Sequence, residues 1–201
     1  MDGNRGKALL GCVMAAALIT PISSAHAAIV PVVPEPVSRA AEAAAFKAVF
    51  STDCPGADLA PDATTRTEAR LATLCLLNQV REAAGLHPLA SARVLRRIAA
   101  EHSRDMVIRG YFSHTGPVDK TLAARLATID WRGCAGENIG FGTAYYATPR
   151  SMMWAWMRSP GHRENILEPS YRWIGVAISL GAPNGTKQFA ATYTTDFGGP
   201  A

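Results

Sequence analysis

The sequence predicts an α+β fold, an antiparallel sheet covered by helices, and three observations carry that prediction. Apolar residues recur at helical spacing between residues 67 and 106 and again after Thr148. The last third changes period: Ile174, Val176, Ile178 and Leu180 alternate with other residues, as do Phe189, Ala191, Tyr193 and Phe197. Between those two runs lies Asn184–Gly185, a dipeptide that favours a tight hairpin turn. Helices first and strands later place the helices on the faces of the sheet.

Each element has its own local cause. The alanine-rich stretch from Ser38 to Phe50 predicts a short helix, and Ser51 to Thr65, with Cys54-Pro55-Gly56 and Pro61-Asp62, predicts a loop. From Thr67 to Ala84 the stripe Leu71, Leu74, Leu77 and Val80 predicts a helix stopped by Gly85. Ser91 is the expected cap of the next helix, which turns Leu95, Ile98, Ala99, His102 and Met106 to one face and ends at Gly110. His102 therefore reads as a packed core histidine. Thr121 to Ile129 predicts a short helix with Leu122, Leu126 and Ile129 inward. Thr148-Pro149 is a capping hydroxyl followed by proline at the first helical position; that helix carries Met153, Trp156 and Met157 inward and stops before Pro160.

With 201 residues, 48% hydrophobic and 18% charged, the chain can bury one core, so one domain with appendages is expected rather than disorder. Residues 1–27 read as an export signal: Arg5 and Lys7, an apolar run from Ala8 to Ile22, then Ala25-His26-Ala27 ahead of a cut before Ala28. Lipid attachment at Cys12 would leave only Ala8 to Gly11 as the apolar core, fewer than such signals use. No other stretch is apolar enough to span a bilayer, so the mature protein is expected outside the cytoplasm, without a transmembrane segment, as a monomer. Residues 28–65 form a Pro/Ala-rich segment and linker, and the domain runs over 66–198. Losing Arg5, Lys7 and Asp2 lowers the formal charge from +4 to +3. That mild excess suits anionic envelope polymers, and the absence of a basic run interleaved with aromatics excludes nucleic acid as a partner.

Three cysteines remain after cleavage, Cys54, Cys75 and Cys134. In an oxidising compartment two of them pair. The preferred bridge is Cys54 to Cys75, stapling the irregular segment onto the first helix of the domain; a bridge through Cys134 is the alternative.

The candidate site is His114, Glu137 and His162, each set among turn-forming residues: Tyr111-Phe112-Ser113-His114, Gly136-Glu137-Asn138 and Ser159-Pro160-Gly161-His162. Two imidazoles and a carboxylate suit a cleft that binds a divalent metal or moves a proton. Their spacing matches no local metal motif. Arg125 and Arg163 are candidates to anchor an anion at the cleft mouth, against the commoner arrangement in which an arginine bonds carbonyls or a carboxylate. Asn138 and Asn165 are expected to hold turns. For a covalent mechanism an unpaired Cys134, three residues from Glu137, is a sharper candidate nucleophile than Ser113, whose side chain points away from the adjoining His114 in an extended chain.

Several ordered motifs resemble the CAP superfamily of cysteine-rich secretory, antigen 5 and pathogenesis-related proteins, in its bacterial extracellular form. They are Leu74-Cys75-Leu76-Leu77-Asn78-Gln79-Val80-Arg81, Ala100-Glu101-His102-Ser103-Arg104-Asp105-Met106, Tyr111-Phe112-Ser113-His114, Gly136-Glu137-Asn138-Ile139, Trp156 through Leu167, and Ile174-Gly175-Val176-Ala177. The resemblance implies a three-layer α-β-α sandwich with a cleft lined by two histidines and two acids. His114, Glu137 and His162 match three of these; the second acid is replaced by Ser159, and Glu164 is expected to point elsewhere. Two functions follow. The first is a binding module for a lipid, an envelope component or a partner protein, which the missing acid favours. The alternative is a metal-assisted hydrolase of peptide or ester bonds, with Zn2+ on His114 and His162 and Glu137 as general base.

Overall fold

The computed structural model describes residues 37–201 apart from 52 and 118–120. The export signal, Cys12 and the proline-rich tether lie outside the described residues. Helices α1 (Arg39–Ser51) and α2 (Arg66–Ala83) come first, followed by β1 (Ala90–Ser91), α3 (Arg93–Arg109) and α4 (Leu122–Ala127). Then come β2 (Ala135–Thr143), a 3-10 turn over Ala144–Ala147, α5 (Pro149–Arg158), α6 (Pro160–Leu167), β3 (Trp173–Leu180) and β4 (Ala190–Gly198). The sheet has the order β1-β3-β4-β2; only the β1–β3 pair is parallel. The chain is an α+β sandwich, with α1, α2, α5 and α6 on one face and α3 with α4 on the other.

Layering explains the burial pattern. Ile174, Val176, Tyr193 and Phe197 join the larger core with Leu76, Leu77, Met153 and Trp156, while Leu95, Ile98, Leu126 and Ala135 form a smaller one under α3 and α4. Because both faces are covered, every residue of β4 is buried, so the alternation read in the sequence does not separate core from solvent. Gly175 lets α3 approach: a methyl there would run into the backbone of Leu95 and Arg96.

Several expectations are corrected. The helix expected over Ser38 to Phe50 is present as α1, and its packing is the new feature: Ala45 and Val49 are fully buried in the larger core, because a short alanine-rich helix packs closely on α2. On α2 Leu77 and Val80 are fully buried as expected, but Leu71 is 52% exposed and Leu74 half-buried, because Ala69, Ala72, Leu76 and Arg81 take the inward positions. Ser91 belongs to β1, and Ala92 starts α3 without a side-chain cap. Gly110 does end α3, in the left-handed region at φ 69°. Leu180 pairs with Ala191, so residues 181–189 form a wider connection in which Asn184–Gly185 is one turn, and Phe189 is exposed at φ 51°.

At the start of α5, Thr148 accepts a hydrogen bond from the Ser151 amide, and Ser159 breaks to extended angles before Pro160 opens α6. This break turns the chain back towards β2 and sets His162 in the first turn of α6. Cys54 and Cys75 are joined, with their Cα atoms 5.9 Å apart, tying the loop before α2 to its middle.

Candidate functional site

Glu137 sits inside β2, a strand the sequence conceals because Gly136, Gly140 and Gly142 read as turn residues. The glycines are there for packing: a methyl on Gly140 would strike Met152, and one on Gly136 would meet the Tyr171 hydroxyl and Asn165. The strand therefore lies tight against α5 and α6. Trp156 donates its indole N–H to the Ile139 carbonyl at 2.9 Å, and Asn165 donates to the Glu137 carbonyl at 3.0 Å. Asn138 in turn donates to the His162 carbonyl at 3.0 Å. The two asparagines thus stitch α6 to β2 rather than hold turns, and His162 is carried on a helix rather than a loop.

The Glu137 side chain points to the α3 side, 6% exposed as a residue, and both its oxygens are engaged. His114 donates Nδ1–H to Oε1 at 2.8 Å, and Arg125 from α4 donates Nη2–H to Oε2. Because an ionised carboxylate only accepts, this contact fixes the hydrogen of His114 on Nδ1. Arg125 also bonds the His114 carbonyl at 3.2 Å, so the same guanidinium holds the acid and the loop that carries the histidine. Burial alone would raise the Glu137 carboxyl; the His114 hydrogen bond, then Arg125 and His102, hold it below the ordinary range. His102 is buried as expected, its Nε2 lying 3.8 Å from Oε2. Burial keeps both His102 and His162 below the ordinary histidine value, which favours neutral rings.

One member of this cluster escaped the sequence reading. Asp196 on β4 is paired in register with Glu137, is fully buried, and receives no donor on either oxygen. Burial first, and the neighbouring Glu137 charge second, push its carboxyl well above the ordinary range, so it keeps its proton. A protonated acid beside an ionised one can donate to it, as two like charges at this spacing cannot coexist cheaply. The available signal was an acid on the second face of a strand expected to be covered on both sides.

The sign of the resulting pH effect is definite. The stability contributed by the Asp196 proton is complete below the ordinary value of 3.8 and is lost as pH rises towards the raised one. Asp196→Asn, which keeps a donor and removes the titration, is therefore expected to raise the melting temperature at about pH 8, with the gain closing towards about pH 4. Thermal unfolding across that range checks it; a gain independent of pH would contradict the assignment.

His162 faces the cleft from α6, its ring centroid 6.4 Å from that of His114. Ser159, where a second acid was missing, lines the same cavity, whereas Glu164 is exposed on α6. Arg163 bonds the Met157 carbonyl and pairs with Glu42 of α1, so it clamps helices and anchors no anion at the cleft. Arg125 likewise takes the structural role.

Zinc does not fit this donor set with Glu137 as a ligand. Glu137 would have to give up His114 or Arg125, and the adjacent guanidinium opposes a divalent cation. His114 and His162 alone are one donor short of the three protein ligands of a catalytic zinc. Among the described residues no three histidine, cysteine, aspartate or glutamate side chains converge on a metal position. There is also no free thiol among the described residues, which removes the cysteine nucleophile considered for Cys134.

Beside the polar cluster lies a cavity of about 710 Å³. Its walls include Phe112, Phe141, Tyr145, Tyr146, Trp154 and Trp156, together with Ile139 and Gly140 of β2, His162 and Ser159. Tyr145 and Tyr146 are 66% and 70% exposed at its rim.

The order of these features along the chain also decides its relationships. A sequence profile of the cysteine-rich secretory protein family, CAP, matches residues 74–195. The chain belongs to this family. Among its relatives, YkwD of Bacillus subtilis is 34% identical over 132 residues, covering 65% of this chain and 49% of that protein. The membrane protein YlbC of the same organism is 31% identical over 115 residues, covering 56% of this chain and 32% of that one. The chain thus spans less than half the length of these two relatives. An extracellular SCP-domain protein of Bacillus anthracis has a similar structure, with a TM-score of 0.55 and 26% identity over 70% of this chain and 45% of that one. An outer surface protein of Borrelia burgdorferi, 19% identical, shares the fold at a TM-score of 0.55 over 64% of this chain and 90% of that one. In this CAP-domain chain, α1 and its Phe50 lie before the matched region, yet Phe50 forms part of the cavity wall.

Proposed function

We infer that this CAP domain acts outside the cytoplasm as a binding module, and that its cavity takes an elongated apolar ligand of the acyl-chain type. The observation that carries this is the contrast between neighbours. The Glu137 carboxylate is committed on both oxygens to His114 and Arg125, while the adjoining cavity is large and walled by aromatic rings. A volume of this order is that of a small-molecule site, and exposed aromatics around a concave mouth mark binding surfaces. The polar trio then acts mechanically, locking the loop that carries Phe112 and His114 against β2 and so holding one cavity wall in place.

A similar extracellular protein and the leader-like N-terminus support a location outside the cytoplasm. The similar Bacillus anthracis structure is that of an extracellular protein, and among the described residues no helix is long and apolar enough to cross a membrane. The zinc hydrolase is the weaker reading, because its general base would have to be freed from two partners first.

The test uses a fluorescent fatty-acid analogue, dansyl-undecanoic acid, titrated into the protein. Saturable binding with a dissociation constant on the order of micromolar is expected. Ala155 is exposed and lines the cavity, so Ala155→Phe fills the site without touching the core. It is expected to weaken binding by about tenfold or more, since one blocked ring position removes contacts worth about 1.4 kcal/mol or more. Undiminished binding in Ala155→Phe, with an unchanged melting temperature, would place the ligand elsewhere.

A further inference from the structure

The cavity lies at the β2 edge of the sheet, and the opposite edge carries a second, chemically different concavity. Strand β1 pairs only with Trp173 and Ile174, so among the described residues the rest of β3 has a strand, β4, on one side only. Along that uncovered edge, between the starts of α2 and α3, runs a groove of about 390 Å³ floored by residues 176–179. Six arginines line it: Arg66 and Arg70 of α2, and Arg93, Arg96, Arg97 and Arg104 of α3.

Within the groove their charge is unanswered, although Arg97 and Arg104 also border a neighbouring concavity with Glu101 and Asp105. No acidic residue lines the groove, and among the described residues none of these six side chains forms an ion pair or a hydrogen bond. Other arginines of the chain do find acids, as Arg109 does with Asp105, Arg150 with Asp58 and Arg163 with Glu42. Arg70 is held beside Arg96, partly out of solvent, so burial first and then a like charge work against its protonated form. Both helices also begin here, and their positive dipole ends add to the field. A fold that gathers six guanidinium groups along one strand edge, at an electrostatic cost, has built a receptor for negative charge.

We propose that this groove binds a linear phosphate-bearing polyanion. Guanidinium forks match phosphate oxygens two at a time, which selects phosphate over a diffuse counterion cloud. The stripe from Arg93 to Arg104 runs along α3 for roughly 16 Å, longer than one phosphate and suited to a chain of them. No aromatic side chain lines the groove, so there is nothing for nucleobases to stack on, and a single-stranded nucleic acid would gain only its backbone contacts. The recessed shape takes a thin chain from the side and disfavours a flat membrane surface.

Arg93, Arg97 and Arg104 are all exposed, so R93A/R97A/R104A is expected to fold with a melting temperature at or above that of the wild type, since it relieves like-charge repulsion. The control R39A/R109A/R132A removes the same charge from exposed positions outside the groove. Binding of inorganic polyphosphate is followed by calorimetry over a series of salt concentrations. The wild type and the control are expected to bind alike, while the groove variant binds about tenfold or more weakly, with a salt slope shallower by about one unit for each phosphate-binding arginine removed. Equal weakening in both variants, no binding by the wild type at low salt, or competition by orthophosphate at equal phosphate concentration would overturn the proposal. So would tighter binding of oligothymidylate, or of phosphatidylglycerol vesicles, than of polyphosphate.

Discussion

Glu137→Ala is expected to lower the free energy of unfolding by about 3–5 kcal/mol, the usual cost of leaving one member of a buried ion pair alone. The Arg125 side chain is 6% exposed, and its partner would be gone, as would the acceptor that fixes the His114 ring. Glu137 is held below the ordinary carboxylate value of 4.5, so its contribution is complete above that value and is lost as the pH falls through the depressed one; the deficit should therefore shrink in acid. The double variant Glu137→Leu/Arg125→Met removes both charges together and is expected to regain most of the stability, because a well-packed apolar pair often equals a buried salt bridge. Urea unfolding of the three proteins measures both effects. A loss below about 1 kcal/mol in the single variant would mean that the pair is hydrated and exposed, contrary to the burial described.

Arg81→Met carries the second large effect, at about 3 kcal/mol or more, since each buried acceptor left without a donor costs about 1–3 kcal/mol. Arg81 is fully buried on α2 and donates to four carbonyls: His87 at 2.9 Å, Ile166 at 2.7 Å, Glu168 at 2.9 Å and Tyr171 at 3.4 Å. It is the hub that fastens the end of α6 and the entry to β3 onto α2. Burial lowers its pKa, with Arg172 adding, to about 10, so it remains charged at neutral pH. Arg81→Lys should not rescue the loss, because a single ammonium cannot span four carbonyls spread around a planar fork. A domain of this size loses about 2–4 °C per kcal/mol, so a fall in melting temperature of roughly 6–12 °C is expected; a lysine variant as stable as the wild type would contradict the fork geometry.

What the sequence disclosed follows from what each signal depends on. Helices α3 and α5 were legible because their stops are local: Gly110 in a left-handed cap, Thr148-Pro149 at a start, Pro160 at a break. Strand β2 was not, because its glycines serve contacts with Met152, Tyr171 and Asn165, which no window of neighbouring residues contains. For the same reason Glu137 looked like a turn residue. His114, Glu137 and His162 came from motifs, and the structure brings the first two into direct contact with the third across the cleft. Asp196 stayed hidden because its meaning depends on register with Glu137, a relation between residues 59 positions apart. Arg125 was read correctly as a charge near the cleft, but only the packing of α4 decides that it serves the acid rather than a ligand.

In the proposed function the ligand sits in the aromatic cavity, and the histidines and Glu137 support its wall. The direct measurement is calorimetric titration of dansyl-undecanoic acid into the wild type and into His114→Gln/His162→Gln. The two dissociation constants are expected to agree within about threefold, a difference under about 1 kcal/mol. Loss of the binding heat in a double variant that still melts cooperatively would contradict this, and would make the two imidazoles the ligand's own contacts.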